Sequence, residues 1–360
     1  MAKIKNAQLG QALRYPESHG DLWTATWGGD DAVYTVADDT YGIARSCYSN
    51  LALFRITGDA PPELNIETLN PMTEFGHFSQ FLPEDDGMWK ANGLACVDGI
   101  LYLSVSRHSY QAKQRYFIQE TWDSSIIKSE DYGKSWSETP KLGQSMFPGQ
   151  TFSTPFFIQY GKDGRGDVDS ADNYVYAVSS NGAWNNTSSM VLGRVPKDRI
   201  GRLNATDWEF VHGFEGDGLG EPIWRPRHET ARQIFRAPGR TSMTGVHYIA
   251  PLGLYILPQW HWLHLEDYRA EDPKNRWHST RFEFYQSSKP WGPWDHFFTQ
   301  DFAESWYNPS IPSKFISPDG HKLWLFVSGD FTNHQAPGSY YGLWMLPISL
   351  ELENGASSTY

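Results

Sequence analysis

The chain has 360 residues with 30 basic and 42 acidic side chains, a formal net charge of -12, and no run of Lys or Arg interleaved with aromatics, so nucleic acid is not an expected partner. No apolar stretch is long enough to span a bilayer and the opening residues MAKIKNAQLG lack the apolar core of a signal peptide; a soluble chain without a membrane partner is expected, periplasmic or secreted if a leader was trimmed. Two cysteines exclude a disulfide framework and are expected as buried thiols, while 16 Trp in an aromatic fraction of 15% exceed the ordinary need of a core this size.

Helical periodicity is confined to residues 229 to 235 and 266 to 275; elsewhere short apolar runs alternate with Gly, Pro, Asn and Asp. A four-part unit of strands repeats along the chain. Its first copy reads DLWTATW, AVYTVAD, NLALFRI and PELNIET, and its second WKANGLACV, ILYLSVS, YFIQETWDSSIIKS and SWSETPK. The third is TFSTPFFIQY, NYVYAVSS, SSMVLGRV and DWEFVHG, and the fourth TSMTGVHYIA, LYILPQW, RFEFYQS and WDHFFTQ. The fifth, NPSIPSKFIS, KLWLFVSG and YGLWMLPI, needs a last strand from SLELEN or from the N-terminal KIKNAQL, because a ring must join its ends to hide its strand edges. The repeats predict an all-β fold, a five-bladed β-propeller with four-stranded antiparallel blades, forming one domain over residues 1 to 360.

Inserts at residues 70 to 88, 141 to 150, 213 to 240 and 262 to 279 are read as walls of a binding face. SEDYGKSW, residues 129 to 136, has the S-x-D-x-G-x-x-W pattern of an Asp box, a hairpin turn whose aspartate satisfies backbone donors while its Trp packs inward; SSKPWGPW and SPDGHKLW are assigned comparable turns.

In a propeller the innermost strands line a channel, and one mouth collects the residues that begin them and those that end their neighbours. By that rule Asp21, Asp38 and Asp39 share a mouth with Trp89, Lys90, Asn92, Arg107 and His108, with Thr154 and Asn181, with Thr244, Trp260 and His261, and with Asn308 and Asp330. Singly, each aspartate is an ordinary turn residue; their convergence is what points to chemistry. Cleaving a glycosidic bond needs one carboxyl group as acid and a second as base or nucleophile, and the cluster offers both. No metal is expected at His261 and His264, whose spacing on a strand end sends the rings apart. The loop GKDGRGDVDSADN, with Asp163, Asp167, Asp169 and Asp172, has the oxygen-rich character of a calcium loop without the full EF-hand pattern; no cofactor is required.

The segments DLWTATWGGDDAVYTVADD, NYVYAVSSNGAW with MVLGRVPKDRI, FYQSSKPWGPW and YNPSIPSKFISPDGHKLWLFVSGDF resemble a domain family long of unknown function, some members of which are identified as endo-D-arabinanases. The family is similar in fold to five-bladed arabinanases, xylosidases and fructosidases. The resemblance implies a glycan-cleaving propeller with catalytic acids on the first blade, Asp21 and either Asp38 or Asp39, because the usual glycine-aspartate-glycine here reads Ala37-Asp38-Asp39-Thr40. A third carboxylate of the wider superfamily has no clear counterpart, Glu221 being a weak stand-in.

Three functions remain open from sequence. In a glycoside hydrolase, Asp21 and Asp38 or Asp39 act as the acid and base pair, with Trp23, Trp89 and Trp260 as stacking platforms for a carbohydrate. In a polysaccharide lyase, His108 or Tyr41 abstracts the proton beside a uronate carboxylate neutralised by Arg107 and Lys90. A non-catalytic sugar-binding propeller would keep the aromatic mouth alone.

Overall fold

A computed structural model describes residues 2–109, 119–165, 173–216, 220–263, 279–329 and 341–353. The strands are arranged as five antiparallel sheets around an axis, a five-bladed β-propeller. Blade 5 begins and ends the chain. Its N-terminal members are β1 (Ile4–Leu9) and β2 (Leu13–Arg14). Blade 1 is β3 (Asp21–Trp27), β4 (Val33–Thr40), β5 (Ser49–Thr57) and β6 (Asn65–Asn70), and blade 2 is β7 (Met88–Val97), β8 (Ile100–Ser109) and β9 (Glu120–Ser129). Blade 3 runs β10 (Thr154–Phe157), β11 (Tyr174–Ser180), β12 (Thr187–Pro196), β13 (Glu209–Phe214), β14 (Pro222–Arg225) and β15 (Gln233–Thr241). Blade 4 is β16 (His247–Ile249), β17 (Leu254–Trp262), β18 (Thr280–Ser287) and β19 (Asp295–Phe302); β20 (Tyr307–Ser310), β21 (Lys322–Ser328) and β22 (Leu343–Leu352) complete blade 5.

Burial explains why the inner strands read as continuous apolar or small-polar runs. β4 and β7 are buried at every position because each is flanked by neighbouring blades, whereas the outer β1 and β19 alternate or stand exposed. β3 packs against β7 and β20, and β7 against β10, so adjacent blades meet near the axis. The approach of β7 to β10 demands Gly93, where a Cβ would lie 2.4 Å from Phe156 Cα.

Ring closure uses the N-terminal segment. β1 pairs with β22 from Ile4 opposite Leu352 to Leu9 opposite Ile348, while SLEL merely prolongs β22. Gln286 of blade 4 adds a clasp, donating from Nε2 to Ile4 O at 2.6 Å and accepting from Ile4 N at 2.8 Å.

Several sequence expectations change. SWSETPK forms no fourth strand in blade 2. The edge of β9 is covered instead by the 141 to 150 insert, where Phe147 N–H donates to Ser124 O at 2.9 Å and the Phe147 ring is buried against Phe152, Trp208 and Phe210. That insert seals a blade edge and is no wall of the mouth. The 213 to 240 insert likewise builds β14 and β15, which extend blade 3 by pairing with β13 and β12. Its helical candidate at 229 to 235 is one 3-10 turn, His228–Thr230, followed by strand, since the backbone groups of β15 find partners on β12. The candidate at 266 to 275 lies outside the described residues.

At SEDYGKSW, Asp131 accepts from Ser135 N at 2.9 Å and Ser135 Oγ at 2.6 Å, while Gly133, at φ 91°, donates to Ser129 Oγ at 2.7 Å. Those donors hold the Asp131 carboxyl down at about 2. SPDGHKLW repeats this chemistry through Ser317 and Asp319 but sits between β20 and β21, the first two strands of its blade, and so is not in a comparable position. Of the thiols, Cys96 is buried and Cys47 only partly so; both are free.

Candidate active site

Asp21 opens β3 and Asp38 lies near the end of β4, and the two are direct cross-strand partners. Antiparallel partners project to one side of the sheet with Cβ atoms about 5 Å apart, so the two carboxyl groups share a face. Asp39 follows in the left-handed region, φ 42°, which turns the strand end and directs its carboxyl group to blade 2. There Lys90 Nζ meets Asp39 Oδ2 at 2.5 Å, both side chains almost fully buried. The other Asp39 oxygen accepts from Ser79 N at 2.9 Å and Ser79 Oγ at 3.1 Å, which ties the 70 to 88 insert to the mouth. Ala91 N–H, one residue beyond Lys90, donates to Asp38 Oδ1 at 3.0 Å.

Blade 5 supplies two phenols absent from the sequence reading. Tyr307 donates to Asp21 Oδ2 at 2.8 Å. The Tyr341 hydroxyl lies 3.3 Å from Asp38 O and 3.2 Å from Asp39 O and also bonds the Asp21 carboxyl. Tyr307 could have been found beside Asn308 at the start of its inner strand; Tyr341, at the start of a third strand, carried no signal.

The electrostatics separate the carboxyl groups. Burial raises Asp21, the Lys90 charge opposes it, Asp39 adds repulsion and the two phenols favour the anion; the balance lies at about 7. Asp38 is raised well above the usual carboxylate range, first by burial, against Lys90, and then by repulsion from Asp21. Both carboxyl groups are thus held above the ordinary range, and the pair as a unit retains a proton that separate aspartates would have lost. Burial works against the Lys90 ammonium, but Asp39, Asp38 and Asp21 together outweigh it and keep its pKa above the ordinary value. Tyr341, raised well above 10 by burial and then by these carboxylates, stays a phenol and a donor.

Other expected site residues take structural roles. Arg107 is buried, clamps Asp85 through Nε at 3.0 Å and Nη2 at 2.6 Å, donates to Gly87 O at 2.6 Å and covers the Trp89 ring. His108 is buried between Ser106 Oγ at 3.0 Å and Gln119 Oε1 at 3.1 Å, and burial, with the Lys90 and Arg107 charges, pulls it down to about 3 despite Gln119. A ring with both nitrogens engaged and so low a basicity is a poor proton acceptor. Asn92 is sealed behind Ser106 and Ser104. Trp23, Trp89 and Trp260 are 0%, 5% and 0% exposed and offer no open face to a sugar; Trp23 donates to Gly20 O and Trp260 to Met243 O. Bulky indoles win the space between blades because that gap is wide and dry.

Thr154 bonds Ser179 and Ser180, Asn181 accepts from Phe152 N, and Thr244 donates to Pro309 O. His261 is buried against Glu283, drawn down to about 4 by burial and by Arg281 and Arg240. Asn308, beside Tyr307, is 5% exposed, and its Oδ1 has no hydrogen-bond partner among the described residues. Glu221 pairs with Lys289 where β14 begins, at the outer side of blade 3, and is not part of the cluster. Tyr41 joins an aromatic stack at the rim.

Among the described residues no group of three or more His, Cys, Asp or Glu could hold a metal ion, and no helix is long and apolar enough to cross a membrane. Asp163 is committed to Gly99 N at 2.6 Å and Arg165 at 3.2 Å; Asp167, Asp169, Asp172, His264 and Asp330 lie outside the described residues. A cleft of about 460 Å³ between Tyr160, Tyr248, Tyr255 and Trp291 opens near Thr26 and Cys96, the far ends of β3 and β7, at the opposite mouth from the carboxylates.

The profile of a family described as Domain of unknown function (DUF4185) matches residues 14–357. No curated protein matches the chain. Among solved structures, a Bacteroides ovatus ATCC 8483 protein provisionally described as a hydrolase aligns with TM-score 0.54 at 14% identity, covering 94% of this chain and 87% of its own. An alpha-L-arabinofuranosidase from Podospora anserina, solved with cellotriose, aligns at 0.47 and 12% identity over 98% of each chain. A GH43_1 enzyme from Xanthomonas citri aligns at 0.44 and 13%, over 97% of this chain and 92% of its own. At such identities the likeness is one of fold.

Proposed function

The chain belongs to the DUF4185 family, and from that footing we propose that it is a glycoside hydrolase whose reacting pair is Asp21 and Asp38. The observation that carries this reading is the facing pair itself, two carboxyl groups at one cross-strand position whose burial raises both. Asp21, held by two phenols that favour its anion, supplies the carboxylate that serves as base or nucleophile; Asp38, more deeply buried, delivers its proton to the departing glycosidic oxygen. The bond between that oxygen and the anomeric carbon breaks as the proton arrives, and water supplies the replacing oxygen. Asp39, fixed by Lys90 and Ser79, sets the local charge.

The resemblance at Asp21 agrees with its role; the ADDT segment departs from the usual glycine-aspartate-glycine, so the choice of Asp38 over Asp39 rests on its pairing with Asp21, and the hydrolase description of the Bacteroides ovatus neighbour agrees in class. The lyase alternative is weakened, since His108 is a weak base, Arg107 is occupied by Asp85 and Lys90 by Asp39, which leaves it Tyr41 alone. Incubation with arabinan, xylan and other plant and microbial polysaccharides, read by reducing ends, tests the proposal. Asp21→Asn and Asp38→Asn should each lose at least about a thousandfold in kcat with an unchanged circular dichroism spectrum. Full activity in both variants would sink it, and binding without turnover by the unmodified protein would favour a sugar-binding module.

A further inference from the structure

Beyond the carboxylates, the mouth of blade 1 carries a connected series of aromatic rings. Tyr341, whose hydroxyl bonds the reacting cluster, meets His19 edge-on with centroids 4.8 Å apart. His19 lies 4.2 Å from Tyr41 and accepts from Tyr41 N–H through Nδ1 at 3.2 Å. Tyr41, Phe78 and Tyr48 are mutually parallel within 16°, at centroid separations of 5.1, 5.8 and 5.7 Å. Arg45 stands 4.5 Å from the centre of the Tyr41 ring.

Unlike the indoles between the blades, this set reaches solvent through Tyr48, with Tyr41 and Phe78 half-buried behind it. Tyr48 is 53% exposed and Phe81, on the same insert as Phe78, is 38% exposed. Ser79, next to Phe78, donates twice to Asp39, so one short segment ties the rings to the acidic cluster. Flat exposed rings stack on the C–H face of a sugar, and their steps are comparable to a single sugar ring.

We propose that Tyr41, Tyr48 and Phe78 form a platform on which a carbohydrate chain leaves the reacting centre, binding sugar units beyond the bond that is cleaved. This rests on the hydrolase reading and adds to it a preference for extended chains. The contacts that run from Asp21 through Tyr341 and His19 to Tyr48 set these rings beside the acids, and that adjacency assigns the substrate itself as their occupant.

The test uses linear arabinan and xylan oligosaccharides of two to six units with the full chain, Tyr48→Ala and Tyr48→Phe. Tyr48→Ala should raise KM for the longer members about tenfold, equivalent to about 1.4 kcal/mol, leave the shortest cleaved member and kcat unchanged, and Tyr48→Phe should restore the KM. A loss equal at every length, or no loss, overturns the platform while leaving the hydrolase reading in place. If the full chain cleaves none of a wide glycan panel, the hydrolase reading falls, and calorimetry of Asp21→Asn with the same oligosaccharides decides the platform. Length-dependent affinity that Tyr48→Ala removes supports it; its absence overturns it, as does a change in self-association as the sole effect of Tyr48→Ala.

Discussion

Asp21 and Asp38 occupy one cross-strand position of blade 1, so that the first carboxyl group to ionise raises its neighbour. The pair is held between two charges of opposite effect, the Lys90 ammonium and the Asp39 carboxylate. Its behaviour is therefore set by the pairing register of two strands and by one lysine from the next blade.

The pH dependence of turnover follows. Activity needs one carboxyl group of the pair ionised and the other protonated, so kcat/KM should rise through an apparent pKa of about 7 and fall at a higher value as the pair loses its second proton. Lys90→Met removes the charge that lowers both, and should move the rising limb alkaline by about 1–3 units. An unmoved limb would separate Lys90 from the reacting pair.

Stability should show the opposite sign from an ordinary salt-bridged aspartate. Asp21 has a folded pKa of about 7, raised above its unfolded value, so the folded chain binds more protons between about pH 4 and 7 and loses stability as pH rises through that window. Asp21→Asn, which cannot ionise, should be more stable than the unmodified chain by about 1–3 kcal/mol at pH 8, with the difference vanishing near pH 4. Urea unfolding at the two pH values measures it.

Asp85→Ala should destabilise the fold by about 2–4 kcal/mol, because it leaves the buried Arg107 guanidinium without its bidentate partner. The partial exposure of Asp85 places the effect toward the lower end of what a buried pair costs. Denaturant unfolding of Asp85→Ala beside the double variant Asp85→Ala/Arg107→Met checks the cause, since removing the stranded charge should recover part of the loss.

The clasp between blades 4 and 5 offers a test of ring closure. Gln286→Ala strands both backbone groups of Ile4, and should cost about 2–4 kcal/mol while accelerating hydrogen exchange along β1 and the facing residues of β22. Exchange that quickens equally in all five blades would show that closure is not local to this clasp.

The amino-acid sequence alone determined the inner strands of the blades and their order. DLWTATW and AVYTVAD appear as β3 and β4 because a buried strand needs an unbroken run of apolar and small polar residues between turn formers, which is a local requirement. The placement of Asp21 and Asp38 at one mouth was legible for the same reason, since strand ends alternate between mouths. The tertiary structure decided what depends on neighbours in space. Which of two adjacent aspartates faces Asp21 turned on the register of β4 and the left-handed Asp39; which Trp lies exposed turned on the width between blades; and the inserts after β13 and β9 became blade edges because unpaired backbone there could be satisfied on β12 and at Ser124. Tyr341 and Lys90 converge from opposite parts of the chain on one carboxylate cluster, and the attraction of donors and cations to buried anions acts through space, where a linear pattern carries no record of it.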